Sequence, residues 1–139
     1  MIYRITIELL GHLAVRHAED EVTRFRTQKT AVLLAYLACF PHRSHAREEL
    51  MEMLWPDVEM EAARGSLRTA LASLRRQIEP PDAPENSVIV ADRQIVRLNP
   101  ETVTTDVNLF ETALLRARRS EDPHHKGEAL STAVDLYRG

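Results

Sequence analysis

The chain has 139 residues, 44% hydrophobic and 28% charged, with seven prolines and four glycines, which excludes a disordered or fibrous segment and allows one ordinary domain plus a small appendage. Its formal charge of −3 excludes a broadly basic protein, so any basic site must arise from local segregation of charge. The single cysteine, Cys39, excludes an internal disulfide and is expected to be buried among apolar neighbours. No stretch approaches the roughly 18 apolar residues of a membrane span and no signal-peptide pattern opens the chain, so a cytoplasmic protein without membrane contact is expected.

Tyr3, Ile5, Ile7 and Leu9 alternate with Arg4, Thr6 and Glu8, the period of a half-buried strand that Gly11 ends. A second strand is expected at His12–His17 and, after a turn at Ala18–Glu21, a third at Val22–Phe25, making an antiparallel meander. From Thr27, TQKTAVLLAYLACF puts Ala31, Val32, Leu33, Leu34, Leu37 and Ala38 on one wide helical face, and Pro41 breaks that helix. The polar connection His42–His45 leads to a second helix, REELMEMLW, with Leu50, Met51, Leu54 and Trp55 inward, stopped by Pro56.

An acidic loop, Asp57–Glu61, runs into the most informative segment, ARGSLRTALASLRR at 63–76, in a helix expected to span about Met60–Ile78. At 100° per residue, Ala63, Leu67, Ala70, Leu71, Leu74 and Ile78 fall on one arc and face inward. The opposite half carries Arg64, Arg68, Thr69, Ser73 and Arg76, with Arg75 at the flank and Gly65 and Ala72 small enough for close approach. Arginines beside small hydroxyl residues suit DNA. A helix fits the major groove, an arginine fork donates twice to guanine, and flanking arginines neutralise phosphate.

Pro80–Pro84 ends that helix, and SVIVADRQIVRL then reads as a hairpin turning at Asp92-Arg93-Gln94 and closed by Asn99-Pro100. Helix, polar connection, helix, acidic loop, basic helix and hairpin is the order of a winged helix. Arg93 at the tip and Arg97 beside it would reach the neighbouring backbone or minor groove. After Thr105, a plausible N-cap, Val107, Phe110, Leu114 and Ala117 form one stripe and Ala129, Leu130, Ala133, Leu136 and Tyr137 another. Arg118–Lys126 connects them as a polar link, giving an antiparallel helical pair that leaves apolar surface open.

The blocks FRTQKTAVLLAYLA, REELMEMLWPD, AARGSLRTALASLRRQI, VADRQIVRL and DVNLFE, in this order, resemble the SARP-type bacterial transcriptional regulators. In that family an OmpR-like winged-helix DNA-binding domain precedes a helical, TPR-like bacterial transcriptional activation domain. The resemblance implies an α+β, mostly α fold: an N-terminal antiparallel sheet, a three-helix core, a C-terminal wing and then an antiparallel helical pair. It divides the chain at 1–100 and 101–139 and makes the segment at 63–76 the recognition helix. Ser66, Arg68, Thr69, Ala72, Ser73 and Arg76 would then face bases, and Asp57, Glu59 and Glu61 would lie in a loop facing RNA polymerase.

Relatives bind direct repeats, which suggests homodimers on DNA. The sequence departs from the family where OmpR-type wings carry a GxGY turn. It departs again at Ala46, in place of a serine or threonine cap, with Ser44 as a substitute. It also stops short of a full activation domain, so a piece of a larger regulator is expected.

Other chemistry finds little support. His42 with His45, and His124 with His125, have no partners at metal-ligand spacing, and no phosphate-binding glycine loop or nucleophile elbow occurs. No cofactor, metal or catalytic residue is expected. The reading is a sequence-specific DNA-binding regulator, an activator rather than an enzyme. The alternative is a winged-helix interaction or dimerisation module without DNA readout.

Overall fold

The computed structural model describes residues 4–137; Tyr3, expected in the first strand, lies outside them. In chain order the elements are β1 (Ile5–Glu8), β2 (Ala14–His17), β3 (Asp20–Val22), α1 (Gln28–Cys39), β4 (His45–Ala46), α2 (Arg47–Leu54), α3 (Met60–Ile78), β5 (Ile89–Ala91), β6 (Ile95–Leu98), β7 (Val103–Thr105), α4 (Asp106–Arg119) and α5 (Pro123–Leu136). This is a mixed α+β fold in which a sheet, three helices and a hairpin wing are followed by a helical pair.

The first sheet has the order β3-β2-β1-β7. β1, β2 and β3 form the expected antiparallel meander, but β7 lies parallel to β1, with Ile5 opposite Val103 and Ile7 opposite Thr105. The third strand sits at Asp20–Val22 instead of Val22–Phe25. A tight turn holds His17 opposite Asp20, with Ala18 at a φ of 55°, so pairing starts before the acidic residues end. The second sheet, β4-β6-β5, is the wing, and its edge strand β4 is two residues long.

That short strand explains how α2 starts without a capping side chain. Neither Ala46 nor Ser44 caps the helix. Instead the backbone is pinned by pairing, with His45 opposite Val96 and Ala46 opposite Ile95, and the Arg47 N–H donates to the Gln94 carbonyl at 2.9 Å. α1 starts conventionally, the Thr27 hydroxyl accepting from the Thr30 N–H.

The core lies between the sheets and α1–α3. Ile5, Ile7, Leu33, Leu34, Leu37, Leu50, Leu67, Leu74, Ile89 and Leu98 are fully buried in it, and Trp55 packs against its edge. Burying one such leucine contributes about 1.5–3 kcal/mol. Val32, expected inward, is exposed because the buried face of α1 is the narrower arc of Thr30, Leu33, Leu34, Leu37 and Ala38, and Cys39, at the helix end, is exposed as well. The polar connector of the helical pair is only Ser120–Asp122. Asp122 caps α5 by accepting from the His124 N–H, and Pro123 supplies the first helical φ, so the helix begins earlier than the charge pattern suggested.

Candidate nucleic-acid interface

α3 buries Ala63, Leu67, Ala70, Leu71, Leu74 and Ile78 against the core, the arc expected from its spacing. Its exposed side carries Arg64, Arg68, Thr69, Ala72 and Arg76. Ser66 is half-buried. Ser73 corrects the wheel: it is 5% exposed, because residues flanking α3 cover more of the helix than its apolar arc alone. A buried hydroxyl cannot face a base, so Ser73 leaves the candidate set.

Two concavities flank the exposed stripe. One, of about 750 Å³, runs between α3, the start of α2 and the wing tip, and is lined by Arg47, Arg64, Arg68, Ala72, Arg75 and Arg93 among others. The other, of about 810 Å³, lies toward the start of α1 and is lined by Arg26, Lys29, Trp55, Gly65, Ser66 and Thr69. Arg68 lines both, so it stands on the ridge between them. Arg76 is farther along, beside His17 and Asp20.

The arginines divide by what already holds them. Arg64 pairs with Glu61 at 2.8 Å on the surface, a contact of little energetic weight. Arg75, near the flank of the wheel, serves structure: it donates to the Asn86 side-chain carbonyl at 3.2 Å and to the Ile89 backbone carbonyl at 3.1 Å, tying α3 to β5. The side chains of Arg68, Arg76 and Arg93 make no hydrogen bond or ion pair among the described residues, so their guanidinium donors are available. Lys29 sits 5.7 Å above the Trp55 ring.

The wing turns without glycine. The Asp92 carboxylate accepts from the Gln94 and Ile95 N–H groups at 2.7 and 2.9 Å, and the Asp92 N–H donates to the Ile95 carbonyl at 3.1 Å. Neither Arg93 nor Gln94 has a positive φ, so an aspartate at the first turn position does what a glycine pair does in other hairpins. The same two backbone donors hold the Asp92 carboxyl below its ordinary pKa. Arg93 at this tip is exposed and lines the cleft; Arg97, on β6 opposite Val90, does not. Asp57, Glu59 and Glu61 are all exposed in the approach to α3, next to exposed Val58 and Met60.

Sequence reasoning missed Arg47, Arg26 and Lys29. Arg47 carries a legible signal, a basic residue in the first turn of a helix, where the dipole favours acids. Among the described residues no group of His, Cys, Asp and Glu could hold a metal ion, and no helix is long and apolar enough to cross a membrane.

Residues 22–95 match the family described as "Transcriptional regulatory protein, C terminal". No curated protein matches the chain. Among solved structures, Mycobacterium tuberculosis EmbR, determined in complex with a low-affinity phosphopeptide, superposes with a TM-score of 0.79 over 99% of this chain at 22% identity. The likeness shows a shared fold, and the chain spans 37% of that protein's length.

Proposed function

Because the chain belongs, through residues 22–95, to the transcriptional regulatory proteins defined by this DNA-binding domain, we propose that it is a SARP-type activator reading duplex DNA with α3. In this reading α3 lies in the major groove, with Arg68 and Thr69 toward base edges and Ser66 and Arg76 beside them. Arg64, Arg93 and Arg97 neutralise phosphates on either side. Residues 1–100 form the DNA-binding module and 101–139 begin a helical activation module. The observation that supports this best is the convergence of unpaired Arg68 on α3 and unpaired Arg93 on the wing over one open cleft.

Asp57 and Glu59 precede the arginine stripe and Glu61 borders it through Arg64, and with Val58 and Met60 the three acids offer RNA polymerase an acidic, partly apolar surface. Two copies of the chain would bind head to tail on a direct repeat. No cofactor is proposed.

The test is a fluorescence-anisotropy titration of the chain against a random duplex and a duplex enriched from a random pool, at several salt concentrations. Arg68→Ala should cost about 1–3 kcal/mol on the enriched duplex and much less on the random one, whereas Arg64→Ala should flatten the salt dependence by a slope of about 1. Equal loss on both duplexes after Arg68→Ala would make Arg68 a phosphate contact. No binding by the wild-type chain at low salt would leave the docking-module alternative.

A further inference from the structure

Arg47 occupies a position that works against it electrostatically. It opens α2, where the helix dipole disfavours a cation, and its guanidinium is half-buried near two further arginines. Loss of water around it lowers its pKa, Asp92 partly offsets this, and the charges of Arg75 and Arg68 lower it further.

The geometry supplies a reason for keeping it there. Arg47 Nε donates to the Asp92 carbonyl at 2.6 Å, and its backbone N–H donates to the Gln94 carbonyl at 2.9 Å. Two bonds from the first residue of α2 therefore hold the wing turn that Asp92 closes from within. α2 in turn lies on α3, with Met51 and Leu71 at the floor of the shared cleft. Among the described residues the guanidinium makes no other hydrogen bond, so its terminal nitrogens remain as donors in a cleft that Arg68 and Arg93 also line.

We propose that Arg47 is a positioning residue for the wing: Nε fixes the tip so that Arg93 and Arg68 meet the same duplex, while its terminal nitrogens take a backbone phosphate between them. The inference rests on the DNA reading given above and assigns the wing's placement to a side chain outside both the wing and the recognition helix. Lysine cannot replace it, because one ammonium cannot serve the carbonyl and a phosphate in the fixed fork that arginine provides.

The experiment combines two readouts on the whole chain. In the free protein, Arg47→Lys should speed hydrogen exchange of the Gln94 and Ile95 amides while leaving the amides of α1 protected. Against a labelled random-sequence duplex, Arg47→Ala should weaken binding about tenfold and lower the salt slope by about 1. Arg93→Ala should cost roughly threefold in the wild-type background and almost nothing in the Arg47→Ala background, since neighbouring groups acting as a unit are non-additive.

Losses that add, an unchanged salt slope, or wing amides unmoved in Arg47→Lys would each overturn the inference while leaving DNA binding by α3 intact. If Arg47→Ala does not fold, the same coupling is read with Arg47→Lys, where independence of Arg93→Ala again overturns it. A wild-type chain that binds no duplex would overturn the DNA reading itself, and this inference with it.

Discussion

The three-helix core closes over Leu33, Leu34, Leu37, Leu50, Leu67 and Leu74, whereas α4 and α5 meet over Ala113, Ala117, Ala129 and Ala133. Large side chains from several elements bury enough area to stabilise the first region by themselves. An alanine seam lets two helix backbones approach closely but removes little apolar surface from water. Of the larger residues of the pair, Leu109, Leu115, Leu130, Val134 and Tyr137 stay exposed, and Val107, Phe110, Leu114 and Leu136 are only partly buried.

The pair is held to the rest by polar and backbone contacts. Asp106, 3% exposed at the start of α4, accepts from the Leu9 and Leu10 N–H groups at 2.8 and 2.9 Å, and β7 extends the sheet beside β1. A region stabilised by burial and one stabilised by attachment should fail differently.

The largest effect should come from the core. Leu74→Ala removes a fully buried side chain of α3 and should destabilise by about 2–5 kcal/mol, read as a lower denaturation midpoint of the whole chain. If α4 and α5 unfolded independently of that transition, the attachment would be weaker than the Asp106 geometry implies.

Next comes the clip. Asp106→Ala leaves two backbone N–H groups without their acceptor and should cost about 2–3 kcal/mol, with faster exchange at Leu9 and Leu10 and little change in α3. Smaller again, Ala133→Leu should force the seam apart at a cost of about 1–2 kcal/mol, confined to α4 and α5 in hydrogen exchange. Equal costs for Ala133→Leu and Leu74→Ala would erase the distinction between the two regions.

The same contrast explains what could be read from the sequence. The apolar arc of α3 was legible because six buried positions repeat at helical spacing in one continuous segment, and Thr105 was legible as a cap because its signal is local. β4 and β7 were not. Two or three residues carry no periodicity, and these strands exist because β6 and β1 offer them an edge. Ser73 was misplaced because a wheel describes one helix, whereas burial depends on what packs beside it.

In the helical pair the wheel put Leu130 and Tyr137 inward with Ala129 and Ala133, but they are exposed, since an alanine seam is narrower than a leucine one. The arginine stripe was visible from charge spacing alone. The cleft that joins it to Arg47 and Arg93 depends on three elements meeting, and no single stretch of sequence states that.

The smallest predicted effect lies in the wing and turns on protonation. Asp92 is held below its ordinary pKa, first by the Gln94 N–H and then by the Ile95 N–H. A depressed carboxylate contributes stability above its unfolded value and loses it as the pH falls through the lower folded value. The turn should therefore keep its closure through mildly acidic conditions and loosen only when the pH drops below the ordinary aspartate range. Amide shifts of Gln94 and Ile95 followed through an acid titration would report this.

Asp92→Asn should make those shifts insensitive to acid while retaining a weaker turn, because the amide oxygen still accepts but without charge. The buried leucines of the core carry no titrating group, so their exchange protection should persist over the window in which the wing tip opens. Simultaneous loss at both places would mean that the wing is not a separate, locally stabilised element, and that Asp92 acts on the whole fold.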